Sequence, residues 1–136
     1  MRLMLDTSAY AAFMRGHPGV QTFVQQASCI VLSSVVLGEL QAGFLGGTRR
    51  LKNEKELRTF LSSPRVSVAD VDRETALRYA EILFSLRRAG TPIPTNDVWI
   101  AAGAMQHGLR VLTTDSHYRR VSQVVVELCA PNPALP

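Results

Sequence analysis

Two short apolar runs in this chain each stop at an aspartate: Arg2–Leu5 runs into Asp6-Thr7-Ser8, and Val111–Thr114 runs into Asp115. Runs this short, bounded by turn and cap residues, read as buried strands rather than helices. The segments between them carry helical periodicity and short connections. Helix alternating with strand argues one mostly parallel sheet with helices on both faces, because parallel neighbours need crossover connections. That constraint also fixes a place for the acids. In open α/β sheets, ligands bind in the crevice beyond the carboxyl ends of the strands, so Asp6 and Asp115 are expected at one edge.

The remaining elements follow the same alternation. Ser8 is expected to cap a helix to about Arg15, stopped by Gly16 and Pro18, and Pro18 opens a second helix over Gly19–Ala27. Cys29–Leu32 is the next strand, and Ser33 or Ser34 caps a helix of about Val35–Phe44 that ends at Gly46-Gly47. Arg49–Leu61 is a polar helix with a sparse apolar stripe, followed by a strand at Val66–Val68. Arg73–Ala89 is a helix whose apolar residues spread over most of its circumference, which calls for cover from its own sheet and from a partner. Thr91-Pro-Ile-Pro94 is a rigid extended loop, Asn96–His107 a helix closed by Gly108, Arg110–Thr113 a strand and Val124–Glu127 the last strand. Residues 1–130 form one domain, and the proline-rich tail 131–136 is irregular.

Two further acids belong to this frame. Glu39 lies inside the third helix and Asp97 in the first turn of the helix opened near Thr95. Each has an ordinary explanation by itself. Asp6 caps a helix, Asp97 suits a helix dipole, Asp115 makes a turn and Glu39 sits on a solvated edge. Four independent accidents at one sheet edge are another matter. Acids packed together without a cation repel and raise one another's pKa values, and a hard divalent ion is the simplest neutraliser.

Composition limits the partners. With 136 residues and 46% hydrophobic content, the chain has room for one core. No apolar stretch approaches the ~18–20 residues needed to cross a bilayer, and no leader is evident, so a cytoplasmic protein without a membrane association is expected. Cys29 and Cys129 match no metal-binding spacing and read as free thiols. The net charge is +4, and of the 15 basic residues only Lys52 and Lys55 are lysines. Arginine forks onto phosphate and stacks on bases, which fits a nucleic-acid partner as well as plain codon bias.

Asp6-Thr7-Ser8 after the first strand, Glu39 within Val35–Gly43, Ile93-Pro-Thr-Asn-Asp97 followed by Trp99-Ile-Ala-Ala102, and Leu112-Thr-Thr-Asp115 stand in that order. Together they resemble the motifs of the PIN domain, and most of all the toxin ribonucleases of bacterial VapBC toxin–antitoxin pairs. The resemblance implies a three-layer α/β/α sandwich around a five-stranded, mostly parallel sheet. It implies an Mg2+- or Mn2+-dependent endoribonuclease, a homodimer and a cognate VapB-type antitoxin. One position departs from the pattern. Many relatives carry Asp-x-Asp-Phe at the fourth motif, whereas this chain has Asp115-Ser-His-Tyr118, with His117 in place of the second acid.

The chemistry expected of these residues is metal-assisted phosphodiester hydrolysis. Asp6, Asp97 and Asp115 are the expected metal ligands, Asp115 directly or through water, and Glu39 holds a second metal or orients the attacking water. Thr7, Ser8, Thr95 and Thr114 offer hydroxyls for phosphate or for fixing carboxylates, and Thr95 reads equally as a helix cap. Arg87 and Arg88 serve the RNA or the helix dipole, and His117 is a phosphate contact, a proton donor or a surface residue. A receiver-like signalling domain is disfavoured because Asp6 is unpaired and no lysine follows a final strand. A non-catalytic PIN-like domain that binds RNA or protein is the alternative function.

Overall fold

The computed structural model describes residues 1–131. Its elements are β1 (Arg2–Leu5), α1 (Thr7–Met14), α2 (Pro18–Gln26), β2 (Cys29–Ser33), α3 (Ser34–Gly46), α4 (Arg50–Leu61), β3 (Val66–Ala69), α5 (Arg73–Ala89), α6 (Thr95–His107), β4 (Arg110–Thr113) and β5 (Val126–Leu128), with a short 3-10 helix at Ser116–Arg120 before β5. The five strands form one sheet in the order β3-β2-β1-β4-β5, and every pairing is parallel. The order turns back at β1, so right-handed crossovers carry α1–α4 over one face and α5–α6 over the other. The expected three-layer α/β/α sandwich is what forms.

The central strands are apolar on both sides because both faces are covered. Leu3, Met4 and Leu5 of β1 and Val111, Leu112 and Thr113 of β4 are fully buried. Helix α6 lies against these two strands and reaches them through small residues. Ala101, Ala102 and Ala104 are buried, and a Cβ on Gly103 would meet the Met4 methyl at 3.2 Å. This close approach brings the N-terminal turn of α6, with Asp97, to the end of the sheet.

Several local expectations need correction. Ser8 does not cap α1; Asp6 does, accepting from the Ala9 amide at 2.8 Å, because the aspartate has the extended backbone a cap requires. Thr95 is no cap either: the α6 cap is Pro94, which contributes no side-chain bond, and Thr95 is the first helical residue. Pro94 instead offers its carbonyl to the Asp97 and Val98 amides. Helix α2 is capped by His17, whose Nδ1 accepts from Gly19 and Val20. Helix α3 runs on through Gly46 and ends at Gly47, and β5 starts at Val126 rather than Val124. On α5, Ile82 and Leu86 are buried, but Leu77 and Phe84 stay 63% and 65% exposed. One side of that helix therefore stays apolar and uncovered. Most of the expected tail lies outside the described residues.

Candidate active site

The four acids come from four places in the fold, two of them just beyond the C-terminal ends of strands. Asp6 follows β1, Asp115 follows β4 and Glu39 is carried by the helix that follows β2, while Asp97 enters on α6. Strands β1 and β4 are neighbours, and the strand order reverses between them. That crevice is the place where open α/β sheets bind their ligands.

Asp6 is the most enclosed, at 3% exposure. Its carboxylate accepts from the Ala9 amide (2.8 Å), the Ser8 hydroxyl (2.8 and 2.9 Å to its two oxygens) and the Thr113 hydroxyl (2.7 Å). Ser8 has one proton to give, so three donors meet about four acceptor positions and room remains for one more partner. Burial pushes this carboxyl up to about 6, against the downward pull of the bonds from Thr113, Ala9 and Ser8. The charge of Asp97 adds to the rise. Ser8 and Thr113 then tie β1 to the β4 end: the Thr114 amide donates to Ser8 Oγ at 3.0 Å, and the Asp115 amide to Thr113 Oγ1 at 2.9 Å.

Asp97, Asp115 and His117 form a second, tighter group. One ligand atom from each lies within 4.8 Å of the others. Asp115 caps the 3-10 helix by accepting from the His117 amide at 2.9 Å, so backbone and carboxylate are fixed together. The His117 ring then leans over both acids, its Nδ1 3.1 Å from Asp115 Oδ1 and 3.6 Å from Asp97 Oδ2. Asp97 is held by the Tyr118 hydroxyl, which donates to Oδ1 at 3.2 Å. Burial, and after it the charge of Asp115, raises the Asp97 pKa. Burial raises the Tyr118 pKa as well, with the charges of Asp6 and Asp97 behind it, so its hydroxyl remains a proton-bearing donor.

Glu39 stands on the other flank. It accepts from the Thr7 hydroxyl at 2.6 Å and from the Asn96 amide at 3.4 Å. Thr7 and Ser8 thus fix carboxylates, one of the two roles expected of them. Thr114 contributes its backbone to this network, and its side chain borders a hollow of about 430 Å³ with Ser116, Arg119 and Leu128. Thr95 is exposed on the first turn of α6. Arg87 and Arg88 are exposed in the last turn of α5, and neither is bonded to an acid of the cluster among the described residues. Trp99 stacks on Tyr79 with centroids 3.9 Å apart, which makes it part of the α5–α6 packing.

Thr113, Tyr118 and Asn96 are site residues that the sequence reading did not pick out. Thr113 sits inside an apolar run and looks like strand filler; its signal is being a fully buried hydroxyl two residues before an acid. The residues fit a divalent cation. Two half-buried carboxylates face each other, and His117 Nδ1 is shielded from solvent with no hydrogen-bond partner among the described residues. A dication would satisfy the nitrogen and remove the repulsion between the acids.

Comparisons with known proteins point the same way. The family model of the PIN domain matches residues 3–124. Ribonuclease VapC4 of Mycobacterium tuberculosis is 34% identical over 95 residues, 70% of this chain and 73% of that protein. The structure of VapBC2 from Rickettsia felis bound to a promoter DNA fragment superposes with a TM-score of 0.81 at 26% identity, covering 94% of this chain and 98% of that one. DNA-bound VapBC from Salmonella typhimurium gives 0.81 at 28% identity, covering 93% and 97%.

Proposed function

This chain belongs to the PIN domain family, and from that premise we propose that it is a metal-dependent endoribonuclease, the toxin of a toxin–antitoxin pair. The observation that supports the reading is the coupling of Asp6 to Asp97 and of Asp97 to Asp115 beyond the β1–β4 reversal, with Glu39 tied to the same edge through Thr7 and Asn96. Relatives that are ribonucleases and complexes of the VapBC type support it.

Asp6, Asp97 and Asp115 would hold Mg2+ or Mn2+. Such an ion supplies positive charge for the phosphoryl oxygens and lowers the pKa of bound water. The chain's own groups do the rest. Ser8, Thr113 and the Ala9 amide fix the orientation of Asp6, and Tyr118 fixes Asp97. Thr7 and Asn96 hold Glu39 where it orients the attacking water and accepts its proton. Arg119, exposed on the 3-10 helix beside the hollow at Thr114, meets the RNA backbone.

The partner surfaces follow from apolar area that the fold leaves open. Two adjoining hollows lie between α1, α3 and α4, one lined by Tyr10, Met14, Leu40 and Phe44 and the other by Phe13, Met14 and Phe60, and Leu45 of α3 and Leu51 of α4 stay exposed. This surface suits an amphipathic helix of the antitoxin. The exposed Leu77 and Phe84 of α5 suit a second copy of the chain, since a symmetric dimer buries one patch against itself. No helix among the described residues is long and apolar enough to cross a membrane.

The deciding experiment is RNA cleavage by purified chain with Mg2+, with Mn2+ and with chelator. Cleavage that depends on the dication and disappears in Asp115→Asn supports the nuclease reading. RNA binding without cleavage under all three conditions replaces it with a binding domain.

A further inference from the structure

We infer that His117 is itself a metal ligand through Nδ1, and that it tilts the centre toward a first-row transition dication such as Mn2+ and away from Mg2+. The inference deepens the nuclease reading and rests on it. Three features of the chain lead here. The first is spacing. Nδ1 is 3.1 Å from Asp115 Oδ1 and 3.6 Å from Asp97 Oδ2. Adjacent donors around an octahedral ion with bonds of about 2.1 Å sit roughly 3 Å apart, so the nitrogen is near that separation from each carboxylate, and all three groups lie within 4.8 Å of one another.

The second is the state of the nitrogen. His117 Nδ1 is cut off from solvent and has no hydrogen bond among the described residues, although the side chain as a whole is 39% exposed. The ring turns its outer edge to water and this one atom inward. That atom lies 3.1 Å from Asp115 Oδ1 without hydrogen-bond alignment, and a nitrogen and two carboxylate oxygens so placed suit a cation shared among the three. The third is rigidity. The amide of the same residue is bonded to Asp115 at 2.9 Å, and the next residue, Tyr118, is fully buried and bonded to Asp97. Ring and carboxylates therefore move as one unit.

Selectivity follows from ligand chemistry. Mg2+ takes oxygen ligands and keeps its waters, whereas imidazole suits transition ions. A neutral imidazole also leaves the centre with one negative charge fewer than a carboxylate would, and Mg2+ depends most on that charge.

The test uses the metal-free full chain titrated with Mn2+ and with Mg2+ by calorimetry, and pulsed EPR of the Mn2+ complex to detect a directly bound 14N. Wild type, His117→Ala and His117→Asp are compared. A 14N coupling in wild type that is lost in both variants is expected. Replacement by aspartate should shrink the preference for Mn2+ over Mg2+ by at least about tenfold. His17 is no rival source of nitrogen, since its Nε2 is bonded to the Ala130 carbonyl and its Nδ1 caps α2. Mn2+ bound without nitrogen coupling, or a preference unchanged in His117→Asp, overturns the inference and leaves a carboxylate-only nuclease centre standing. Failure of wild type to bind either ion overturns both readings.

Discussion

Asp6 uses one carboxylate for two purposes: it caps α1 and, on the proposed reading, it would hold the metal. The second purpose has a cost, because burial raises its pKa from 3.8 to about 6. An acid whose pKa is raised on folding holds more protons folded than unfolded. Its contribution to stability is complete below the unfolded pKa near 3.8 and is lost as pH rises through about 6. Asp6→Asn should therefore stabilise the metal-free chain at pH 7 by up to about 3 kcal/mol, at about 1.4 kcal/mol per pKa unit, less whatever the altered hydrogen bonds cost. At about pH 3, below the unfolded pKa, the gain should nearly vanish. Thermal melts at the two pH values check this, and an equal gain at both would contradict it. Asp97→Asn and Asp115→Asn should each lower RNA cleavage by about a hundredfold or more while the fold survives; wild-type rates in both would remove these acids from the site. Asp6, Asp97 and Asp115 were legible in the sequence because each follows or opens a recognisable element, and Glu39, inside α3, only through the order of the motifs. Thr113 and Tyr118 were not, since a buried polar side chain in an apolar stretch reveals its partner only when distant strands meet.

The elements position these residues through packing rather than through turns. Helix α6 carries Asp97, and its seat on β1 depends on small side chains at Ala101, Ala102, Gly103 and Ala104. Gly103→Val should push the helix from Met4 and destabilise the chain by about 1–3 kcal/mol. Denaturant unfolding measures the loss, and RNA cleavage should fall with it because Asp97 moves away from Asp115. Unchanged stability would show that the helix has slack. The strand and helix order was readable from period and length, as apolar runs of four or five residues cannot be helices between such breakers. Boundaries were less so. Asp6 won the cap from Ser8, whose hydroxyl is spent on Asp6 itself, and α3 ran past its expected end at Phe44 to Gly46 because nothing before Gly47 prevents helical backbone.

For the whole molecule, two surfaces remain apolar and each has its own test. Leu77→Lys with Phe84→Lys on α5 should convert a dimer to a monomer at micromolar concentration, read by sedimentation. A wild-type chain that sediments as a clean monomer would count against the dimer. The hollows between α1, α3 and α4 predict a different behaviour. If an antitoxin helix seated there extends a basic side chain to the acids, the purified complex should bind the dication weakly and cut RNA poorly. Proteolysis of the partner should restore both, and a complex as active as the free chain would exclude inhibition by occupation of the site.

The position of β4 between β1 and β5 carries a consequence for synthesis. Asp6 is made with β1, but its hydrogen-bond partner Thr113 comes 107 residues later in the chain. Until that strand slots into the middle of the sheet, no crevice exists. Chains stalled before Arg110 in a cell-free translation should leave the surrounding RNA intact, and cutting by such fragments would disprove this. A nuclease of this topology would thus spare the RNA of its own ribosome until β4 has been made.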